Sequence, residues 1–160
     1  MERAIISAVT HDTSEAKMTV SGVSDRPGVA ARLFRSLADA NVNVDMIVQN
    51  VSHEGGATDL TFTVPKGELE RTLAVLETSK GELGFQSIES DSNVVKISVI
   101  GVGMRSHAGV AQQMFSALAE KSINIQVIST SDIKISVLIA EEYTELALRA
   151  LHTAYGLDAE

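Results

Sequence analysis

Along residues 17 to 24 the order Lys-Met-Thr-Val-Ser-Gly-Val-Ser alternates polar and apolar side chains, the period of a strand with one buried face. After Pro27-Gly28 the period changes, with Val29, Leu33, Phe34 and Leu37 recurring at helical spacing. Pro27 suits a first helical position, where its missing N–H costs nothing, and Asp25 just before it is a candidate cap. Val44 to Val51 and Asp59 to Val64 are β-branched apolar runs around His53-Glu54-Gly55-Gly56, a turn signal, and together predict a hairpin. Leu69, Leu73 and Leu76 mark a second helix, and Phe85 to Glu89 a closing strand. The predicted order is βαββαβ.

The pattern then repeats. Lys17 to Arg26 laid on Lys96 to Arg105, and Gly28 to Asn50 on Gly109 to Ser131, match at 13 of 33 positions, among them Gly22/Gly101, Phe34/Phe115, Leu37/Leu118, Asn43/Asn124 and Ile47/Ile128. Leu60 to Val64 aligns more weakly with Ile135 to Ile139. The second copy predicts a strand over 96–102, a helix over 108–121, strands over 124–130 and 133–139 and a helix over 142–154. Only Tyr155 to Glu160 follow, too few for a closing strand, yet a spare apolar run, Ala4 to Thr10, precedes the first copy. The expectation is an α+β chain of two tandem ferredoxin-like βαββαβ modules, the first (17–92) inserted into the second (1–16 plus 93–160), whose sheet the N-terminal strand completes. Helices on one face of each sheet leave the other face toward solvent or a partner, with Asp59, Thr61 and Thr63 there in the first copy and Ile100 and Val102 in the second. This mixture suggests a dimer.

Composition narrows the function. The 160 residues contain no cysteine, which excludes disulfides, thiolate metal sites and a cysteine nucleophile. A net charge of −8 with 4% aromatics and no Trp argues against nucleic acid and carbohydrate. No apolar run approaches the roughly 18 residues of a membrane span, and the N-terminus lacks signal-peptide features, so a cytoplasmic protein is expected.

Catalytic constellations are missing from the pattern. His11, His53, His107 and His152 have no metal-ligand spacing, although His107, just before a helix, could approach a ligand. Gly101-Val102-Gly103 lacks the third glycine of a dinucleotide loop, since Ser106 stands there. The loop Ser24-Asp25-Arg26-Pro27-Gly28-Val29 is different: it sets a carboxylate beside helix-start N–H groups, so the amides suit an α-carboxylate and the acidic side chain an ammonium. Ordinary capping explains the same residues, and the loop alone leaves both readings open. A second repeated element favours a ligand. Val42-Asn43-Val44-Asp45 and Ile123-Asn124-Ile125-Gln126 each put an amide at the mouth of the strand after a helix, and Gln49, Asn50, Thr130, Ser131 and Asp132 add polar groups later along it.

The strings SDRPGVAARLFRSLADANVNVDMIVQN (24–50) and GMRSHAGVAQQMFSALAEKSINIQVISTSDIKISVLI (103–139) resemble the paired ACT domains in the regulatory region of bacterial aspartate kinases, and the resemblance covers essentially the whole chain. It implies a non-catalytic region, without cofactor, that binds end-product amino acids, threonine with or without lysine, where an ACT domain of one chain meets one of its homodimer partner. It implies feedback inhibition of a catalytic kinase domain or separate α subunit in aspartate-family amino-acid biosynthesis. By motif, Asp25 matches the acidic residue for the effector ammonium, and Gly28, Val29 and Ala30 the loop backbone bordering it. The strand from Val42 through Asn43, Val44 and Asp45, with Gln49, matches the pocket lining, while Asn124, Ile125, Ser131 and Asp132 match the partner side. Met104 stands where the first copy has Asp25, so the two loops cannot hold an ammonium alike. Against this stand another ACT-type sensor, a small ferredoxin-like enzyme, which would need a clustered acid, base or nucleophile, and an RNA-binding βαββαβ module, which would need aromatics on the open sheet face.

Overall fold

The computed structural model describes residues 5–51, 56–103 and 108–157. The chain divides into two units, Ser14–Ser92 and Met1–Thr13 with Asn93–Glu160, here the inserted and the host unit. The host unit supplies the first strand, β1 (Ile5–Asp12). The inserted unit follows as β2 (Glu15–Ser24), α1 (Val29–Asp39), β3 (Ile47–Val51), β4 (Ala57–Pro65), α2 (Leu69–Leu83) and β5 (Ser87–Asp91). The host unit then resumes as β6 (Val94–Val102), α3 (Ala108–Glu120), β7 (Val127–Thr130), β8 (Lys134–Ala140) and α4 (Thr144–Ala154).

Both sheets are antiparallel, ordered β3-β4-β2-β5 and β1-β6-β8-β7. The N-terminal strand therefore takes in the host sheet the place that β5 takes in the inserted one, as the spare apolar run predicts. These are two ferredoxin-like βαββαβ folds, one inserted into the other. Gly101 permits the closure: a Cβ there would run into the Ile5 backbone carbonyl of the adjacent strand.

Alternation decides which side chains reach the helices. In the inserted unit Met18, Val20, Leu60, Phe62 and Val64 meet Leu33, Leu37 and Leu76 in a buried core, with Phe34 edge-on to Phe62 at 5.4 Å between ring centres. In the host unit Val95, Ile97, Val99, Val137 and Ile139 meet Val110, Met114, Leu118 and Leu151. Each fully buried Leu or Phe contributes roughly 1.5–3 kcal/mol of transfer free energy.

Several boundaries depart from expectation. Helix α1 starts at Val29, after Gly28 in the left-handed region at φ 90°, with no side-chain cap. Neither Pro27 as first helical residue nor Asp25 as cap is realised, because Asp25 is tied back to the β4 side by its own N–H, which donates to the Gly56 carbonyl at 3.0 Å. The strands after α1 and α3 begin three residues later than the hydrophobic runs. Asn41 and Ser122 turn the chain at φ 65° and 58°, and Val42 and Ile123 donate back to Leu37 and Leu118. The chain thus seats Val42 and Ile123 in the cores before joining the ladders. Phe85, expected in the closing strand, is instead a core residue released by left-handed Gly84. Thr63 points to the open face yet is buried, its hydroxyl accepting the Met46 N–H at 3.0 Å. The turn residues His53, Glu54 and Gly55, with Met104, His107 and the terminal residues 1–4 and 158–160, lie outside the described residues.

Candidate functional site

The loop after β2 and the first turn of α1 form one end of the inserted unit's candidate site. Arg32 N–H donates to the Gly28 carbonyl at 3.0 Å as the first helical bond, and Val29 N–H closes a turn to the Arg26 carbonyl at 3.2 Å. Val29 is seated in the core, whereas Asp25, Gly28 and Ala30 are exposed. With no side-chain cap and no acidic residue in its first turn, this helix start keeps the positive end of its dipole uncompensated by its own side chains.

Gln49 lies at the same end. β3 runs back along α1, and its Asn50 faces Asp59 on β4, while Ala57 on β4 faces Ser24. The Thr58 hydroxyl donates to the Asn50 carbonyl at 2.8 Å and fixes that register. Val42, Asn43, Val44 and Asp45 stand elsewhere. An 11-residue helix is about 16 Å long, so they occupy the opposite end of α1 from Asp25. Val42 and Val44 pack on the core, leaving Asn43 and Asp45 exposed.

The host unit has the same division. Asn124 is exposed beside core-seated Ile123 and Ile125, at the C-terminal end of α3. Ser131 and Asp132 lie at the other end, in the β7–β8 turn. There Ser131 N–H donates to the Lys134 carbonyl at 2.7 Å and the Ser131 hydroxyl accepts Ile133 N–H at 3.4 Å. Each unit alone therefore brings together only half of the polar residues singled out from the sequence.

Two apolar side chains complete the picture. Ile47 faces Phe62 and Ile128 faces Val137, so both point to the helix-covered side, but β3 and β7 are sheet edges and the side chains remain 53% and 45% exposed. They are equivalent positions of the two copies, a match visible in the repeat that strand periodicity alone reads as core.

Other features lie apart from these residues. Gly101 serves close strand approach, its N–H donating to the Ile133 carbonyl at 2.9 Å. Among the described residues no group of three or more His, Cys, Asp or Glu side chains could hold a metal, and no helix is long and apolar enough to cross a membrane. A groove of about 480 Å³ lies between α3 and α4, lined by Ala117, Glu120, Lys121, Leu146, Arg149 and Thr153 among others, and none of the residues above lines it.

Two βαββαβ units, one inserted into the other along the chain, define a class, and the chain belongs to the ACT domain family, whose model matches residues 6–79 and 97–155. More narrowly, it groups with the regulatory regions of aspartate kinases. It is 54% identical over 159 residues to an aspartate kinase of Pseudomonas putida, covering 99% of this chain but only 38% of that relative's length. It is similar to a chain in the crystal structure of aspartokinase alpha and beta subunits, with 49% identity, TM-score 0.89 and coverage of 95% and 99% of the two chains. The ligand-free regulatory subunit of aspartate kinase from Thermus thermophilus superposes with TM-score 0.89 at 37% identity, covering 94% of this chain and 98% of that one.

Proposed function

We propose that this chain is an amino-acid sensor that imposes feedback inhibition on an aspartate kinase, binding threonine, with lysine as a second effector, where two copies of the chain meet. The observation that carries the reading is the division of polar groups between opposite ends of each unit. When two exposed edge strands from two chains lie antiparallel, the helix-start end of one unit comes beside the helix-exit end of the other. Asp25, the Gly28–Ala30 backbone and Gln49 then face a partner's strand mouth of the Asn124-Ile125 kind. The same pairing covers Ile47 and Ile128.

In such a site the α1 start takes the effector α-carboxylate, Asp25 takes the ammonium, and side-chain amides select a hydroxyl. Leaving a buried hydroxyl partner unpaired costs about 1–3 kcal/mol, enough to favour threonine over an apolar amino acid of similar size. An effector bound across two chains favours one dimer arrangement, and by linkage that arrangement holds the catalytic kinase domain or α subunit, which phosphorylates aspartate, in a poorly active state. The aspartokinase alpha and beta subunit structure supports a separate catalytic partner. A cytoplasmic setting fits the charge and composition.

The test is a thermal-shift screen of the dimer with threonine, lysine, methionine and isoleucine. Threonine should stabilise by about 2.7 kcal/mol at a hundredfold excess over its dissociation constant. A folded dimer that responds to none of the four overturns the proposal.

A further inference from the structure

β2 carries a bulge that the alternating pattern does not announce. Val20 stands opposite Leu60 and Val23 opposite Thr58, so Ser21 and Gly22 together face Asp59. Gly22 adopts φ 72°, and its N–H donates to Asp59 Oδ1 at 3.1 Å. On the other flank Gln86 N–H donates to the Ser21 carbonyl at 2.8 Å, and the Gln86 side chain lies so close that a Cβ on Gly22 would stand 2.6 Å from its Cγ. A bulge gives up a ladder bond and bends its strand, and a carboxylate is a strong replacement acceptor.

The host unit treats the equivalent place differently. Gly101 N–H is taken by the Ile133 backbone carbonyl at 2.9 Å, and Lys134 occupies the position that Asp59 holds in the inserted unit. One copy of the repeat latches the end of its first strand by main chain, the other by a side chain. Beyond the Gly22 latch the chain enters the core at Val23, pairs at Ser24 with Ala57, and reaches Asp25 and the α1 start.

We infer that Asp59 is a positioning residue: by holding the Gly22 bulge it sets the course of residues 23–28 and so the placement of Asp25 and the first turn of α1. Its consequence for effector affinity rests on the sensor reading above; its consequence for the backbone does not. The geometry assigns this role to the inserted unit alone, since Lys134 cannot accept a hydrogen bond.

Amide hydrogen exchange and threonine titration of the whole 160-residue chain, as wild type, Asp59→Ala and Asp59→Asn, test it. In Asp59→Ala the Gly22 amide and those of Val23, Ser24 and Asp25 should exchange about tenfold faster, with amides of β8 unchanged, and threonine should bind about tenfold more weakly. Asp59→Asn, whose side-chain oxygen still accepts, should restore most of both. Unchanged exchange at Gly22 in Asp59→Ala, or an Asn variant as loose as the Ala variant, overturns the inference. A wild type with the expected exchange contrast against Asp59→Ala but no response to any amino acid upholds the latch and sinks the sensor reading. Threonine binding of equal strength in wild type and Asp59→Ala upholds the sensor reading and overturns the placement of the site by Asp59.

Discussion

The Tyr155 hydroxyl donates to the Val110 carbonyl at 2.6 Å, tying the residue after α4 to the first turn of α3. Gln113 reinforces the tie through its side-chain amide, which donates to the Ala154 carbonyl. Burial pushes the Tyr155 pKa up from 10.0 to about 12. The folded state therefore favours the neutral phenol, and this contribution is complete below pH 10 and lost as pH rises toward 12. Melting temperatures measured from about pH 8 to 11.5 should fall more steeply for wild type than for Tyr155→Phe. Parallel curves would contradict the assignment.

Ser98 and Ser136 place their hydroxyl oxygens 2.7 Å apart, both buried, on facing positions of β6 and β8. Ser98→Ala or Ser136→Ala alone leaves a hydroxyl without its partner and should cost about 1–3 kcal/mol in urea unfolding. The double variant should cost less than the two singles together, a coupling that a double-mutant cycle measures. Strict additivity would mean the pair contributes nothing as a pair.

Gly101→Ala drives a methyl into the Ile5 carbonyl of the neighbouring strand, where backbone rather than a flexible side chain must yield. The expected loss is about 1–3 kcal/mol, accompanied by faster amide exchange at the Ile5–Ile6 end of β1. An unaltered melting temperature would show that the β1 and β6 backbones are less closely apposed.

Ile47→Lys places a charge on an exposed edge and should leave the fold intact while weakening self-association, read by light scattering on a sizing column. The effector response should weaken with it. Retention of the wild-type mass at low micromolar concentration would exclude this edge from the contact.

Asp25→Ala removes the carboxylate assigned to the effector ammonium but no cap, since α1 is not capped by it. The variant should melt within about 0.5 kcal/mol of wild type without ligand and lose most of the threonine shift. A wild-type response from Asp25→Ala would remove Asp25 from the site.

Much of the fold is legible because its signals are local. Leu33 and Leu37 share a helix face and Met18 and Val20 flank a strand pleat with no reference to distant residues. The spare apolar run before Lys17 is also visible in the sequence, and as β1 it pairs with β6 in the host sheet. Thr72 shows where such reading fails. It is buried on α2 beside Leu76 because its hydroxyl donates to the Glu68 carbonyl at 2.8 Å, a local bond that lets a polar side chain pass for core. Pro27 fails because Gly28, free to adopt φ 90°, precedes a helix that starts at Val29, two residues later.

The sequence singles out candidate residues but not their arrangement. Repetition singles out the helix-start loop and the Asn43 and Asn124 strand mouths, yet a strand running back along an 11-residue helix separates them, and no periodicity records that distance. The sequence by itself determined the element order, the doubling of the module and the faces that form each core, because side-chain period is a property of neighbouring residues. Tertiary structure decided that Ile47 and Ile128 stay uncovered, and that Asp59 closes a bulge at Gly22, 37 residues away. Edge position and bulge register are properties of which strands pair, and pairing is settled between segments rather than within them.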